Sequence, residues 1–369
     1  MTERVRVGVI FGGRSGEHEI SLLSARSVLG ALDPARYQPV QIGITHDGRW
    51  FTGDRVLEAF ERGRLDGLTS AVIPADAGVR CLFRWGEGSP MEVVSRLDVV
   101  FPVLHGSFGE DGTIQGLLEL ADVPYVGAGV LASSVAMDKA LFKDLMRSRG
   151  LPVLDWVLLQ SQAIAADAGA AAAEGEKAGP YPLFTKPANL GSSVGVSKVR
   201  GRSDLMEGLM DAARYDRRVI VERGLEAREI EVSVLGNEAP EASLPGEIIP
   251  SDEFYSYRAK YLDDSSRLLI PAPLDEKIRE EARRLAVEAF RAIDGAGMAR
   301  ADFLLDRGSG GLYLNELNTI PGFTRISMYP KLWDASGLTY PALMDRLIGL
   351  ALDRQNQKDR LERRYGETA

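Results

Sequence analysis

Residues 298–330 read MARADFLLDRGSGGLYLNELNTIPGFTRISMYP, and this stretch decides how the C-terminal part of the chain folds. Two apolar-rich segments, ADFLLD and LYLNELN, flank the turn-forming RGSGG, which predicts a β-hairpin. Glu316 and Asn318 are two residues apart on the second strand, so they share one face. Asp302 lies near the start of the first strand, where pairing would bring it beside them. An Asp, a Glu and an Asn at strand ends form an all-oxygen ligand set that suits Mg²⁺ or Mn²⁺.

Two further features of this hairpin favour phosphoryl transfer. Arg300 is two residues before Asp302 and adds a positive charge on the same side. Pro321 and Gly322 turn the chain into a segment whose backbone N–H groups would face a ligand. A metal set, a cation and such a turn together indicate phosphoryl transfer. The alternative is a solvated strand rim, which is the more common explanation for Glu316 taken alone.

Length, composition and charge limit the classes of protein. A chain of 369 residues is too long for one typical core, so we expect two or three domains. Its hydrophobic content of 45% and charged content of 26% are ordinary for a soluble globular protein. The net charge of −9 argues against nucleic acid as a partner. The single cysteine, Cys81, excludes a disulfide framework, and no apolar run has the length of a membrane span, so we expect a cytoplasmic enzyme.

The first 127 residues show alternating strand and helix patterns. MTERVRVGVIFGG is expected to be a first strand rather than a signal peptide, and LDVVFPVLHG is a later strand that also ends in glycine. This βαβ alternation predicts a parallel sheet, in which ligands gather at the carboxyl ends of the strands. The strand ends Phe11–Ser15 and Leu104–Gly109 therefore indicate a site that includes His105 and the helix-opening Glu17. A structural hydrogen bond for His105 and a helix-dipole role for Glu17 are the alternatives.

The middle of the chain carries candidate phosphate and nucleoside contacts. Lys186 ends a predicted strand and precedes the loop 189–195, NLGSSVG, whose N–H groups and hydroxyls suit phosphate oxygens. Glu222 and Glu229 flank a loop that contains Leu225. A carboxylate there would accept a hydrogen bond from a ribose hydroxyl or an adenine amino group. The alternatives are an ordinary Gly/Ser loop and a solvated strand edge.

Two further elements are predicted around these contacts. SSVAMDKALFKDLMRSRG is expected to form one helix that ends at Gly150. Residues 246–273 form a long polar and aromatic segment, which favours a lid over the site. The aromatic residues of this segment are Phe254, Tyr255, Tyr257 and Tyr261.

Motifs in sequence order connect these features to a known family. They are FGGRSGEHEISLLSA, LHGSFGEDGTIQG, SVAMDK, KPANLGSSVG, the Glu222–Glu229 spacing, EFYSYRAKY, ARADF and NELNTIPGFT. Through them the chain resembles the D-alanine–D-alanine ligase family of the ATP-grasp superfamily. The resemblance implies a three-domain α/β architecture: an N-terminal parallel-sheet (pre-ATP-grasp) domain at 1–127 with the first D-alanine subsite, a central ATP-grasp domain at 128–222, and a C-terminal ATP-grasp domain at 223–369 with the metal site and the lid 246–273. ATP would lie between the last two domains.

The resemblance also implies roles for individual residues. The expected catalytic residues are Glu17, Ser192, Tyr261, Arg300 and Gly322. The expected substrate contacts are His105, Ser327 and Met328, the last two for the second D-alanine. The expected nucleotide contacts are Lys139, Lys186, Ser193, Glu222, Arg223, Leu225, Glu229, Phe254 and Lys260. The expected ligands of two Mg²⁺ ions, with Mn²⁺ as a substitute, are Asp302, Glu316 and Asn318.

The implied activity is ATP-dependent condensation of two D-alanines through an acylphosphate, which supplies the dipeptide for peptidoglycan synthesis. Glu17 would bind the ammonium of the first D-alanine, while Arg300 and the Gly322 N–H would hold the tetrahedral oxyanion. A D-alanine–D-lactate ligase is one alternative, and Tyr261 argues against it because the resistance-type relatives lack this tyrosine. A nucleotide-binding regulator with a dead site is another. The resemblance also implies a homodimer, and Arg325, at a position that is often small, would change the charge near the second subsite.

Overall fold

The computed structural model describes residues 3–86, 88, 90–191, 193–249, 267–324 and 326–362 and has the predicted α/β architecture, with three sheets in succession along the chain. Its helices are His18–Ala31, Val56–Glu61, Thr113–Leu120, Val130–Met137, Lys139–Ser148, Ser161–Ala166, Ala168–Gly175, Arg202–Ala212, Glu276–Ala292, Met328–Ala335 and Tyr340–Asp359. Within the described ranges, every helix is too short or too polar to cross a membrane.

The first sheet has seven strands and contains the parallel part of the fold. Its strands are β1 (Val5–Gly12), β2 (Tyr37–Ile44), β3 (Trp50–Thr52), β4 (Thr69–Val72), β5 (Cys81–Trp85), β6 (Glu92–Arg96) and β7 (Val99–Val103), in the order β6-β5-β4-β3-β2-β1-β7. β1 pairs in parallel with β2 and with β7, which confirms the predicted parallel sheet for these strands. For β3 to β6 the prediction is wrong, because they pair antiparallel. The connections 45–49, 73–80 and 86–91 are shorter than the crossover that parallel strands need.

The second and third sheets hold the predicted phosphate loop and the predicted hairpin. The second sheet consists of β8 (Trp156–Gln160), β9 (Leu183–Pro187), β10 (Ser197–Val199) and β11 (Arg218–Arg223), in the order β10-β9-β11-β8. The third consists of β12 (Ala227–Gly236), β13 (Glu241–Ala242), β14 (Gly246–Ile249), β15 (Arg267–Leu269), β16 (Gly297–Asp306) and β17 (Leu312–Asn318). Its order is β15-β14-β12-β16-β17, with β13 beside β12.

The helix predicted over SSVAMDKALFKDLMRSRG is interrupted. Asp138 is extended and separates the helices Val130–Met137 and Lys139–Ser148. Its carboxylate accepts hydrogen bonds from the N–H groups of Ala140 and Leu141 at 3.1 and 3.0 Å, which is the usual reason for a helix to begin at such a residue. The second helix therefore starts at Lys139, one of the predicted nucleotide contacts.

The two ends of the predicted lid are strands. β14 and β15 pair antiparallel, with Glu247 opposite Leu269 and Ile249 opposite Arg267. The expected loop 246–273 is therefore wrong at its borders, while residues 250–266 lie outside the described residues.

The last helix packs on the first sheet. Leu343 and Leu347 of Tyr340–Asp359 are fully buried in the same core cluster as Val7 and Phe101. Such a shared apolar core fixes the third sheet, which precedes this helix, against the carboxyl ends of β1 and β7. The site described next lies between these sheets.

Candidate active site

The predicted hairpin is present, and a bulge orients its polar residues. Asp302 is the Cα partner of Glu316, and Arg300 is the partner of Asn318, so the predicted proximity is confirmed. The next pair is Phe303 with Leu314, which leaves Asn315 as an extra residue in β17. In a regular strand Leu314 and Glu316 would share a face. The bulge lets Leu314 enter the core while Glu316 turns to the side that carries Asp302.

A third carboxylate extends this row across the sheet. Glu231 of β12 is the partner of Asp302, so Glu231, Asp302 and Glu316 lie side by side on three neighbouring strands. Arg300 lies among them and compensates their charge. Its Nε and Nη2 donate to the two carboxylate oxygens of Asp302 at 2.7 Å each, and its Nε is 3.0 Å from Glu231 Oε2. Only 15% of the Arg300 side chain is exposed, so this fork is held in place by its partners.

The chemistry of the donor set fits a hard divalent cation. Asp302, Glu316 and Asn318 offer two carboxylates and an amide oxygen on one face. Asp302 is also bound by Arg300, but a carboxylate has lone pairs for several partners. The Asn318 Oδ1 accepts the N–H of Ile320 at 3.1 Å, which orients its side chain. Among the described residues, no group of three His, Cys, Asp or Glu side chains is placed to hold a metal, so the predicted ligand set needs the Asn318 amide as its third member and stays a prediction.

The strand ends of the first sheet place Glu17 and His105 together. Glu17 precedes the helix His18–Ala31 and is buried, and its N–H donates to Ser15 Oγ at 3.1 Å. His105 is also buried: Nδ1 donates to the carbonyl of Ile320 at 2.9 Å, and Nε2 is 3.0 Å from Ser24 Oγ. Burial lowers the pKa of His105, which keeps the ring neutral. Because both ring nitrogens have protein partners, His105 ties the end of β7 to the segment after β17.

Glu110 is a buried carboxyl that the sequence reasoning missed. Its Oε1 accepts the N–H of Gly106 at 3.0 Å, and its Oε2 is buried without a hydrogen-bond partner. Burial, together with the nearby charge of Glu17, raises the pKa of Glu110 to about 8. A Cβ built on Gly191 would lie 3.5 Å from Glu17 Oε2 and 3.7 Å from Glu110 Oε1. The predicted phosphate loop therefore reaches the carboxylates of the first sheet.

Lys186 and Glu222 lie in a buried ion cluster with a second lysine. Glu222 is 1% exposed; its Oε2 pairs with Lys186, and its Oε1 pairs with Lys143. Burial opposes ionisation of Glu222, but the two lysines outweigh it and lower its pKa to about 2. Both carboxylate oxygens thus have cationic partners, and the predicted adenine contact of Glu222 stays a prediction.

Lys139 lies over the loop that follows β9. Its N–H donates to the carbonyl of Ala188 at 2.9 Å, and its Nζ donates to the carbonyl of Leu190 at 2.7 Å. Ser193, further along this loop, has a left-handed backbone with φ of 58°. Lys139 therefore contacts the predicted phosphate loop, and Lys186 lies in β9 just before it.

The other predicted nucleoside contacts follow the connection from β11 to β12. Arg223 ends β11 and donates its N–H to the carbonyl of Asp155 at 3.0 Å, and Leu225 is half-buried. Glu229 is on β12, two residues before Glu231 and on the same face. These residues thus follow the connection from the second sheet to the third, and their predicted nucleoside contacts stay predictions.

The turn after β17 brings Gly322 and Ser327 together. A Cβ on Gly322 would lie 2.8 Å from Ser327 Oγ, which also accepts the N–H of Thr324 at 3.1 Å. Met328 is 5% exposed and packs with Ile248. A substrate contact from Met328 would therefore come from its backbone.

Some predicted site residues lie outside the described residues. They are Ser192, Phe254, Lys260, Tyr261 and Arg325. Their expected roles stay predictions.

Three titratable residues near the site were missed, and each had a signal in the sequence. Lys143 is four residues after Lys139 and so faces the same side of a helix. Glu231 is two residues after Glu229 on one strand face. Glu110 lies in the glycine-rich segment after β7, which also contains His105.

Family comparisons agree with this geometry. Residues 6–128 match the family model of the D-ala D-ala ligase N-terminus, and residues 145–349 match that of the D-ala D-ala ligase C-terminus. A D-alanine--D-alanine ligase of Thermoanaerobacter sp. (strain X514) is 51% identical over 361 residues, covering 97% of this chain and 99% of the relative. The D-alanine--D-alanine ligase of Natranaerobius thermophilus is 47% identical over 367 residues, covering 99% of this chain and 100% of the relative.

Solved structures show the same similarity. The D-alanine-D-alanine ligase from Coxiella burnetii superposes with a TM-score of 0.80 at 36% identity and covers 97% of both chains. The VanG D-Ala:D-Ser ligase from Enterococcus faecalis superposes with a TM-score of 0.84 at 34% identity, covering 95% of this chain and 100% of the other. Since two family models together cover most of the chain and relatives match over almost all of it, this protein belongs to the D-alanine–D-alanine ligase family.

Proposed function

We propose that this protein uses ATP to join two D-alanine molecules into D-alanyl-D-alanine, with ADP and phosphate as the other products. The observation that carries the proposal is the arrangement of Arg300 between Glu231 and Asp302, beside Glu316, opposite the strand ends that hold Glu17. In this arrangement Glu17 would be the ammonium site, and the residues around Arg300 would be the phosphoryl-transfer site. The names of the relatives identify D-alanine as the amino acid.

ATP would lie between the second and third sheets. Lys139 and Lys186 would bind its phosphates with the N–H groups around Ser193, because cations and loop amides are the usual phosphate donors. The nucleoside would contact Glu222, Arg223, Leu225 and Glu229, with Phe254 added by the lid segment, from which Lys260 would reach a phosphate. Their position along β11 and β12 supports this assignment.

Mg²⁺ would be held by Asp302, Glu316 and Asn318, and Mn²⁺ has the same ligand preferences. A divalent cation supplies the positive charge that neutralises a transferring phosphoryl group. The residues of the chain supply positioning and the remaining charge.

The first D-alanine would bind Glu17 through its ammonium, and Ser192 and Tyr261 would be the hydrogen-bonding partners of Glu17. His105 holds the end of β7 beside this subsite. Its carboxylate oxygen attacks the γ-phosphorus of ATP, ADP leaves, and an acylphosphate forms. A negatively charged carboxylate is otherwise a poor acceptor for an amine, so this activation is needed for the ligation. Exclusion of water preserves the acylphosphate.

The second D-alanine would bind at Ser327 and the Met328 backbone, beside Arg325. Its free amine attacks the acyl carbon, and the tetrahedral oxyanion is held by Arg300 and the N–H of Gly322. Collapse of this intermediate forms the peptide bond and releases phosphate. The carboxylate pairs of Arg300 support the role, since they hold the guanidinium before the charge develops.

D-alanine is favoured over D-lactate as the second substrate. The relatives at about half identity are named as D-alanine--D-alanine ligases. One structural neighbour is named as a D-Ala:D-Ser ligase, so D-serine belongs in the same test.

ADP release is the experiment that tests the proposal. We expect ADP to form only when D-alanine is present. With D-lactate or D-serine at equal concentration and near-neutral pH, ADP release should be at least tenfold slower, which corresponds to about 1.4 kcal/mol of discrimination. ADP release that ignores D-alanine would contradict the proposal and favour a nucleotide-binding regulator.

We also propose the domain division 1–127, 128–222 and 223–369, a homodimer and a cytoplasmic location. The three sheets support the division, since the first and third each fall within one range and the second passes its border only by Arg223, the last residue of β11. The use of ATP supports the location. Light scattering tests the dimer, and limited proteolysis tests the division.

A further inference from the structure

Lys143 is a buried charge that the proposed reaction does not use. Its side chain is 1% exposed, and it projects from the helix Lys139–Ser148 toward Oε1 of Glu222. The Trp156 ring centroid lies 6.0 Å from its Nζ. A lysine is rarely buried so completely unless a specific anion holds it.

The cluster contains more positive than negative charge. Lys143 and Lys186 share the single carboxylate of Glu222, and each lysine pairs with a different oxygen. Lys186 is the more accessible cation, with 14% of its side chain exposed against 1% for Lys143. If one lysine exchanges its partner for a ligand, the geometry selects Lys186.

A buried carboxylate limits this exchange. Without a cation beside it, an ionised Glu222 inside the protein would be strongly unfavourable. Lys186 is therefore able to leave Oε2 only if Oε1 keeps its own cation. Lys143 occupies that place and has no access to bulk ligand itself.

We propose that Lys143 is a positioning residue that neutralises Glu222 from Oε1, so that Lys186 is free to pass from Glu222 Oε2 to a phosphate oxygen of the nucleotide. The inference rests on the proposed nucleotide role of Lys186. Lys186 then pairs with Glu222 when the nucleotide is absent. The charge of Lys143 allows Lys186 to leave Glu222 when the nucleotide binds.

The test is the binding of ADP with Mg²⁺, measured by calorimetry. In Lys143→Met the only cluster cation left for Glu222 is Lys186, so we expect ADP to bind about tenfold or more weakly, the scale of one charge-assisted hydrogen bond. Glu222→Gln removes the charge that holds Lys186 and keeps an oxygen acceptor. The double variant Lys143→Met/Glu222→Gln is therefore expected to bind ADP within about threefold of Glu222→Gln alone, a difference under 1 kcal/mol. Lys177→Met, the same change at an exposed lysine, is the matched control.

Unchanged ADP binding in Lys143→Met would overturn the inference, as would a double variant that binds ADP more than about threefold more weakly than Glu222→Gln alone. A role in packing alone predicts the latter result, because Gln at position 222 does not restore a lost side chain. If Lys143→Met does not fold, Glu222→Gln and the double variant are compared, and a difference beyond about threefold overturns the inference.

Lys186→Met separates this inference from the proposed function. Weaker ADP binding in Lys186→Met with unchanged binding in Lys143→Met refutes only the role of Lys143. Unchanged ADP binding in Lys186→Met refutes the phosphate role of Lys186, and the inference with it.

Discussion

Arg300→Ala is the substitution with the most specific expected result. Arg300 makes two hydrogen bonds to Asp302 at 2.7 Å and approaches Glu231 at 3.0 Å, with 15% of its side chain exposed. Alanine removes this charge and leaves Glu231, Asp302 and Glu316 as like charges in one row. The change therefore affects both the stability of the third sheet and the proposed oxyanion site.

The two effects have different sizes. Removal of one partner from a buried ion pair costs roughly 3–5 kcal/mol, and the remaining exposure of Arg300 reduces this to about 2–4 kcal/mol in the free energy of unfolding. Loss of one preorganised oxyanion donor lowers turnover about 10²–10³-fold. Arg300→Lys keeps the charge but not the two-pronged geometry, so we expect it to recover most of the stability and only part of the turnover.

Urea denaturation without added metal measures the stability, and D-alanine-dependent ADP release measures the turnover. Adding Glu231→Gln to Arg300→Ala removes one of the neighbouring like charges in this row and is expected to return part of the stability without returning turnover. If Arg300→Ala raises only the KM for ATP, Arg300 is a nucleotide contact and its oxyanion role is refuted.

Three other substitutions test the surrounding site. Glu316→Gln removes one charge from the proposed metal set and should lower turnover about 10²-fold with the fold intact; wild-type turnover at limiting Mg²⁺ would exclude Glu316 as a ligand. Gly106→Ala places a Cβ 2.7 Å from Glu17 Oε2 at a φ of 72°, so we expect a loss of about 1 kcal/mol in stability and a higher KM for D-alanine; an unchanged KM would argue against Glu17 as the ammonium site. The pKa of Glu110 is raised from 4.5 to about 8, so between these values the folded protein keeps a proton that the unfolded chain has lost, and the free energy of unfolding falls as pH rises. In Glu110→Gln this fall with pH should be absent. If the difference in the free energy of unfolding between the wild type and Glu110→Gln does not change with pH, the raised pKa of Glu110 is contradicted.

The sequence predicted the elements of the site better than their contacts. Alternating apolar residues and the RGSGG turn were sufficient to predict the hairpin that pairs Asp302 with Glu316. This alternation does not predict the bulge at Asn315, because the bulge depends on the packing of Leu314 into the core.

The missed residues depend on long-range packing. Glu231 becomes part of the site because β12 pairs with β16, and Lys143 becomes part of it because the helix Lys139–Ser148 lies over β11. Local spacing places Glu231 and Lys143 on the same faces as Glu229 and Lys139, but it does not tell which strand or carboxylate each of those faces meets. The alternation of strand and helix patterns predicted parallel pairing for β3 to β6 as well. These strands are antiparallel because several of their connections are too short for a parallel crossover.

Transfer of ¹⁸O from D-alanine to phosphate tests the central claim most directly. In the proposed mechanism a carboxylate oxygen of the first D-alanine attacks the γ-phosphorus. That oxygen therefore leaves with phosphate when the amine of the second D-alanine attacks. With D-alanine labelled in both carboxylate oxygens and ATP unlabelled, mass spectrometry should find a single ¹⁸O in each phosphate and an equal amount of dipeptide. Dipeptide formed alongside unlabelled phosphate would contradict the acylphosphate and the site assignment built on it.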